Sequence, residues 1–240
     1  MQTPVREQAE LPSNVRVLAI CAHPDDMESW CGGTLALLAG QGCDVRLVVC
    51  TAGEKGSNDR SKEAAEIGQT RTTEQKVAIA RLGIRGVRFL GGRDGELVDA
   101  PAFRAQIVRL LREFRPAVVF THDPEHPYPP YTTHRDHRVT GRVVLDAVYP
   151  AARDHLYFPE QIAEGLQPHA VSQVWLFSSL VASTAVDISE TLERKIVARL
   201  DHRSQTVDPD ALRVGWRERA AAIGRPFGLD AAETFTVIQL

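Results

Sequence analysis

Short apolar runs alternate with longer amphipathic stretches along most of the chain. Residues 15–21, 45–50 and 117–122 have the length and composition of buried strands, and 101–114 has helical spacing. The other predicted strands are 87–90, 171–177 and 234–240, and the other predicted helices are 28–39, 61–82, 134–149, 188–203 and 211–223. Because strands alternate with helices, parallel pairing through right-handed crossovers is expected. The pattern predicts a three-layer α/β/α sandwich around a mostly parallel, Rossmann-like sheet.

The length and charge of the chain limit what it can be. A chain of 240 residues can form one α/β domain with a large core, so we expect a single domain over 1–240. The net charge of −3 lacks the basic excess of a nucleic-acid-binding protein. The first dozen residues are polar, which predicts neither a secretory signal nor a membrane span, and residues 1–13 are expected to be a flexible N-terminal segment.

The cysteines indicate a reducing environment. Cys21, Cys31, Cys43 and Cys50 form no CxxC pair, and two of them end apolar runs. We interpret them as reduced, mostly buried thiols of a cytoplasmic protein. A zinc cluster of thiolates is the weaker alternative.

A histidine and three carboxylates follow the first predicted strand within six residues: His23, Asp25, Asp26 and Glu28. Ligands of parallel sheets bind at the carboxyl ends of the strands, and zinc takes imidazole and carboxylate ligands. The alternative is a helix N-terminus, where acidic residues are favoured. That alternative explains one or two acids, but it explains His23 and two adjacent aspartates poorly. The cluster therefore favours a metal site.

A second cluster opens the helix predicted over 134–149. His134 and His137 are three residues apart, so both can lie on one face of the first turn. One of them can bind a metal while the other hydrogen-bonds substrate, and Asp136 can orient an imidazole. Two histidines and one carboxylate leave a fourth position for water, which is typical of catalytic rather than structural zinc.

The two clusters, AHPDDME over 22–28 and HRDH over 134–137, resemble the motifs of the PIG-L or LmbE-like N-deacetylases. Shorter pieces support the resemblance over most of the chain: GGTLA at 32–36, VRLVVCTAGEKG at 45–56, RTTE at 71–74, FLGGRDGEL at 89–97 and HRSQ at 202–205. The resemblance implies a zinc-dependent hydrolase that deacetylates an N-acetylglucosamine-type sugar or a related small molecule. The bond hydrolysed would be a linear, non-peptide amide.

Matched residue by residue, the resemblance implies roles for five residues of the two clusters. His23, Asp26 and His137 would be the zinc ligands. Asp25 would be the general base, and His134 would be the acid or the oxyanion stabiliser. Fe²⁺ and Co²⁺ are alternative metals at the same ligands.

The resemblance also implies substrate contacts and assembly. Arg71 and Asp94 match the family's sugar-contacting arginine and aspartate. Some relatives are trimers or hexamers, so a homo-oligomer is expected, with a small N-acyl molecule as substrate and no nucleic acid as partner.

The chain departs from the family pattern at two places. Arg135 replaces the usual proline of the second motif, so the local turn can differ there. Thr132 stands where some members have a tyrosine that helps to polarise the carbonyl. Whether Tyr128 or Tyr131 substitutes for that tyrosine stays open.

Other functions and residues were weighed as well. An amidase of a thiol-sugar conjugate would use the same residues, and a non-catalytic binding module would lack a ligand or the base, of which none is missing. A dinucleotide-binding protein needs G-x-G-x-x-G after the first strand, where this chain has HPDDMESWCGG. His122 and Asp123 either brace the site or are ordinary loop residues, and loop 52–60 is either a flap or a solvated loop.

Overall fold

An eight-stranded sheet forms the centre of the fold in the computed structural model, which describes residues 7–125 and 134–240. The strand order is β1-β7-β8-β6-β5-β2-β3-β4. Among the described strands, only β8 pairs in the antiparallel direction, with β6 and with β7. The strands are β1 (Glu7–Gln8), β2 (Arg16–Cys21), β3 (Asp44–Thr51), β4 (Val87–Gly92), β5 (Val118–His122), β6 (Gln173–Phe177), β7 (Thr184–Asp187) and β8 (Ala232–Gln239).

Helices cover both faces of this sheet. They are α1 (Asp26–Trp30), α2 (Gly32–Gly40), α3 (Ala64–Leu82), α4 (Pro101–Phe114), α5 (Arg135–Asp146), α6 (Pro159–Ala163), α7 (Leu192–Leu200) and α8 (Pro209–Gly224). Residues of α1, α2, α3, α7 and α8 join the core on one face, and residues of α4 and α5 join the core on the other. The predicted α/β/α sandwich with a mostly parallel sheet is confirmed.

The strand β2 shows why the buried part of a central strand is apolar at successive positions. Val17 and Ala19 point into the core beneath α1 and α2, whereas Leu18 and Ile20 point into the core beneath α4 and α5. Successive side chains of a strand alternate between faces, so a strand covered on both faces needs apolar residues at every position. The continuous run at 15–21 therefore predicted a buried strand correctly.

Two predicted helices are interrupted. The helix predicted over 28–39 is split into α1 and α2 at Cys31, whose φ of −141° is not helical. The helix predicted over 134–149 ends at Asp146 and continues as a π-helical turn, Ala147–Ala151. Pro150 lies within that turn, and Tyr149 before it has extended dihedrals, as a residue before proline prefers.

The sheet is wider than the sequence predicted. The strand β7 precedes α7, which begins at Leu192 instead of at residue 188. Within the N-terminal segment expected to be flexible, Glu7–Gln8 pairs with β7 in parallel. Strands of two and four residues are too short for an alternating pattern to reveal them.

All four cysteines are buried and free, as the expectation of reduced thiols requires. Among residues 7–125 and 134–240, the groups of side chains that could hold a metal contain no cysteine, so a thiolate zinc cluster finds no support there. Among the helices of the described residues, none combines the length and the apolar character that crossing a membrane requires.

Candidate active site

An open cleft of about 810 Å³ lies at the carboxyl ends of β2, β3 and β4, beside the start of α5. This is the edge at which parallel sheets bind ligands. The turn between β2 and α1, the loop after β3, the turn after β4 and the first turn of α5 supply its polar wall. Nearly all of the predicted site residues line it: His23, Asp25, Asp26, Arg71, Asp94, His134 and His137.

The helix α5 reaches this cleft because it packs closely on β5. A Cβ atom at Gly141 would lie 2.4 Å from the carbonyl oxygen of His122, so a side chain there would push the helix away. The close approach lets the ring of His137 stack on the ring of His122, with centroids 4.1 Å apart. One glycine thus places the second histidine cluster over the end of the sheet.

The three predicted metal ligands meet at one point. His137 Nε2 lies 3.1 Å from Asp26 Oδ1 and 3.2 Å from His23 Nδ1, and His23 Nδ1 lies 3.6 Å from Asp26 Oδ2. Tetrahedral ligands at zinc distances of 2.0–2.1 Å stand about 3.3 Å apart. His137 and His23 face different oxygens of the Asp26 carboxylate, and these closest distances are near the spacing of ligands around a small divalent cation. The set of two imidazoles and a carboxylate suits zinc.

Other donors surround the same point. His137 also forms metal-compatible groups with His23 and His134, and with Asp26 and His122. Glu28, counted with the metal cluster in the sequence, does not join these groups within the described residues. It is fully buried and faces α3, where it accepts a hydrogen bond from Gln75 Nε2 at 2.6 Å. Glu28, which was not among the expected ligands, thus contacts the neighbouring helix instead of the metal point.

Charge is distributed around the ligands as a cation site needs. Burial acts to raise the pKa of Asp26, but the interactions with His137 and His122 outweigh it and hold that pKa well below its usual range. Burial acts to lower the pKa of His23, yet hydrogen bonds to carboxylates outweigh it and raise that pKa well above its usual value. Because a metal ligand must be deprotonated at the atom that binds, a cation here would compete with protons for His23 Nδ1.

Asp136 and Asp94 hold the far side of the His23 ring. His23 Nε2 lies 3.3 Å from Asp136 Oδ2 and 3.1 Å from Asp94 Oδ1. A carboxylate on the second nitrogen fixes the tautomer and orientation of a metal-binding imidazole. Asp136 also accepts the N–H groups of Gly95 and Leu97, at 2.7 and 3.2 Å, so it joins α5 to the turn after β4.

Asp94 is less available for substrate than the sequence suggested. Its Oδ2 accepts the Lys55 N–H at 3.0 Å, and its Oδ1 contacts His23. Burial acts to raise its pKa, but the hydrogen bond and charge of His23 dominate and lower the pKa to about 2. Asp94 lines the cleft, and its oxygens are already paired with the protein.

Asp25 stands beside the metal point but faces other partners. Its φ of 84° is in the left-handed region, which an aspartate adopts more readily than most residues, and its N–H donates to Gln75 Oε1 at 3.0 Å. Its Oδ2 lies 3.2 Å from Arg199 Nη2 and its Oδ1 lies 3.5 Å from Arg71 Nη2. Burial raises the pKa of Asp25, and the two guanidinium groups oppose that rise. The carboxylate is therefore separate from the metal ligands and reaches the same cleft.

Arg71 is fixed by the backbone around it. Its Nη1 donates to the carbonyl oxygen of Gly53 and its Nη2 donates to that of Pro24, each at 2.8 Å. It is 5% exposed and lines the cleft from the side of α3. Arg71 thus ties the loop after β3 to the turn that carries Asp25.

His134 caps the N-terminus of α5. Its Nδ1 accepts the Asp136 N–H at 3.2 Å, so the proton of the neutral ring is on Nε2. Burial, followed by the charges of His23 and His137, lowers the pKa of His134. The site therefore favours a neutral His134 with one N–H donor.

His122 lies beside the predicted metal ligands. His122 is buried at the end of β5, its Nε2 lies 3.2 Å from Asp26 Oδ2, and burial together with the charge of His137 lowers its pKa to about 3. The same Nε2 accepts the Ala22 N–H at 3.1 Å, and the ring contacts two predicted ligands, Asp26 and His137. Arg135 donates to the Gly95 carbonyl oxygen at 3.2 Å, so it supports the turn after β4. Tyr128 and Tyr131 lie outside the described residues.

Sequence reasoning missed Arg199 and Gln75, which hold Asp25. Both lie within helices, α7 and α3, among other polar residues of those helices. They reach Asp25 only because helices that are distant in sequence pack together over α1. Neither helix carries a pattern that could have identified them.

An α/β sandwich with a histidine–carboxylate metal site and a separate carboxylate at the carboxyl ends of its parallel strands is typical of metal-dependent hydrolases. Comparison with known proteins narrows that class. Residues 18–148, more than half of the chain, match the family described as PIG-L, GlcNAc-PI de-N-acetylase. The chain belongs to this family.

Relatives and a solved structure agree with the family assignment. The chain is 34% identical over 190 residues to a diacetylchitobiose deacetylase of Thermococcus kodakarensis, covering 79% of this chain and 70% of that protein. It is 31% identical to a 1D-myo-inositol 2-acetamido-2-deoxy-alpha-D-glucopyranoside deacetylase of Mycobacteroides abscessus, covering 81% and 83%. The structure of N,N'-diacetylchitobiose deacetylase from Pyrococcus horikoshii superimposes with a TM-score of 0.87 and 30% identity, covering 93% of this chain and 84% of that one.

Proposed function

We propose that this protein is a zinc-dependent deacetylase that hydrolyses the N-acetyl amide of an N-acetylglucosamine-type sugar. One observation carries the proposal: His23, Asp26 and His137 converge at zinc-ligand spacing, and the carboxylate of Asp25 opens into the same cleft. The relatives support the substrate class, since their names describe deacetylases of 2-acetamido sugars.

The roles follow from the contacts of each side chain. A zinc ion held by His23, Asp26 and His137 would supply a Lewis acid that makes water acidic near neutral pH and polarises the amide carbonyl. Asp25 accepts the proton of the attacking water, and that proton then passes to the amine as the C–N bond breaks. The products are a free amine and acetate.

His134 serves the oxyanion as a neutral donor in this proposal. Because its Nδ1 accepts a backbone N–H, its Nε2–H is the group available to the carbonyl oxygen as charge develops there. Of the two roles that the resemblance implied, acid or oxyanion stabiliser, the geometry favours the second.

The Asp26→Ala variant tests the metal site. We expect about one zinc per chain in the wild-type protein and its loss in the variant, because zinc would keep only two of its three protein ligands. Metal analysis measures this, alongside amine release from N-acetylglucosamine and its glycosides. Asp44→Ala, at the opposite end of the sheet, is the matched control and should keep both. Metal without amine release would point to another acyl compound, and no metal in wild type after reconstitution would remove the mechanism.

The His134→Ala variant tests the oxyanion role. Removing one such donor typically lowers kcat by about 10²- to 10³-fold, and zinc content should stay unchanged. His134→Gln keeps an N–H donor and should retain part of the activity. His155→Ala, which removes an exposed histidine, should change nothing. An unchanged kcat in His134→Ala would exclude the role.

An amidase of a thiol-sugar conjugate remains the second candidate, because it would use the same residues on a larger amide. A panel of N-acyl sugars with and without a thiol-bearing acyl group separates the two.

Four expectations stay predictions. They are zinc as the bound metal instead of Fe²⁺ or Co²⁺, assembly as a trimer or hexamer, a cytoplasmic location, and a single domain over residues 1–240.

A further inference from the structure

The carboxylate of Asp25 lies between two guanidinium groups that differ in their surroundings. Arg71 approaches Oδ1 at 3.5 Å and Arg199 approaches Oδ2 at 3.2 Å. Arg71 lines the cleft, whereas Arg199 is absent from its lining and reaches Asp25 from α7. The two arginines therefore act on the same carboxylate from different sides.

Arg71 donates hydrogen bonds to backbone carbonyl oxygens, whereas the polar contacts of Arg199 are with side chains. The Nη atoms of Arg71 donate to two carbonyl oxygens at 2.8 Å, which leaves its contact with Asp25 long. Arg199 has one weak further contact, Nη1 to Thr206 Oγ1 at 3.4 Å, and its buried Nε has no hydrogen-bond partner among the described residues. The stronger interaction of Arg199 in this region is thus the one with Asp25.

The backbone of Asp25 is held independently of its side chain. Gln75 accepts the Asp25 N–H and donates to Glu28, so the chain at Asp25 is fixed to α3. The remaining freedom is the rotation of the carboxylate about its own side-chain bonds. Arg71 donates only a long hydrogen bond to Oδ1, at 3.5 Å, whereas Arg199 forms the closer ion pair with Oδ2. Arg199 is placed to restrict that rotation, because both side chains of this pair are largely shielded from solvent, where attraction between opposite charges is little screened.

We propose that Arg199 is a positioning residue that holds the Asp25 carboxylate at the angle from which it meets the attacking water. This inference rests on the proposed function, because it takes Asp25 as the base. Arg199 itself contacts neither the cleft nor the metal ligands in the described structure, so it acts through Asp25 alone.

The kinetics of Arg199→Gln test this inference. A misplacement of about 1 Å can cost about 10²-fold in rate, so we expect kcat to fall by about that factor, with KM and zinc content unchanged. Arg199→Lys keeps the charge and should recover part of kcat. Arg81→Gln is the matched control, because Arg81 is another arginine paired with an aspartate in this region: it joins α3 to the end of α7 through Asp201 at 2.8 Å and does not touch the site. It should leave kcat unchanged.

A crystal structure of Arg199→Gln supplies a readout that does not depend on activity. The Asp25 carboxylate should rotate away from its wild-type position while the Asp25 backbone stays in place. An unmoved carboxylate or an unchanged kcat would overturn the inference, and so would an equal loss of kcat in Arg81→Gln. If wild type released no amine from any substrate, the proposed function would fail, and the carboxylate position would still decide the role of Arg199.

Discussion

Replacing Asp25 by asparagine is expected to lower kcat by about 10²- to 10⁴-fold, the range that general-base catalysis typically contributes. Asparagine has nearly the same shape, but its amide cannot accept a proton from water. Zinc content should be unchanged, because Asp25 is not among the side chains that form metal-compatible groups in the described residues. Steady-state amine release and metal analysis of the same preparation measure the two quantities.

Stability has to be separated from catalysis in this variant. Asp25 is the carboxylate partner of Arg71 and Arg199, so asparagine leaves two guanidinium groups without a counter-charge. Thermal unfolding should therefore be recorded, and kcat measured well below the transition. Asp123→Asn is the matched control: this aspartate is also buried at the carboxyl edge of the sheet, but it does not line the cleft. Wild-type turnover in Asp25→Asn would remove Asp25 as the base.

The sequence could predict those parts of the site that are formed by residues close together along the chain. After Arg16, strand β2 is an uninterrupted apolar run, so the polar residues directly after it had to lie at its carboxyl end. His134 and His137 share a helical turn, and their spacing alone places them together. In each case a local rule fixes the geometry, and the fold only needs to bring two such segments to one edge of a sheet.

The rest depends on contacts between distant segments, which no local rule contains. Glu28 stands in the same short motif as His23, but it turns away from the metal point because Gln75 and His202 lie on its other side. Arg199 meets Asp25 only because α7 packs beside α1. The strand β8 inserts between β6 and β7 in the antiparallel direction, an order that the periodicity of its residues does not specify.

The second large effect concerns Glu233, a buried carboxylate that does not line the proposed active-site cleft. Its two oxygens accept the N–H groups of Gly33 and Thr34 at 3.0 and 2.8 Å and the Thr34 hydroxyl at 2.6 Å. Lys195 Nζ lies 2.6 Å away, and both side chains are almost fully buried. Glu233 thus caps the start of α2 and neutralises a buried ammonium group, which joins β8, α2 and α7.

Glu233→Ala is expected to lower the free energy of unfolding by about 3–5 kcal/mol, because it leaves a buried charge without a partner. That is a large share of the roughly 5–15 kcal/mol that stabilises a typical domain. Urea unfolding of the metal-free proteins measures it. Glu193→Ala is the matched control, since Glu193 pairs with Arg217 at the surface, where an ion pair contributes less than about 1 kcal/mol. The double variant Glu233→Met with Lys195→Met should be more stable than Glu233→Ala, because no unpaired charge then stays buried. A double variant as unstable as Glu233→Ala would show that the hydrogen bonds to α2, and not the charge of Lys195, make Glu233 necessary.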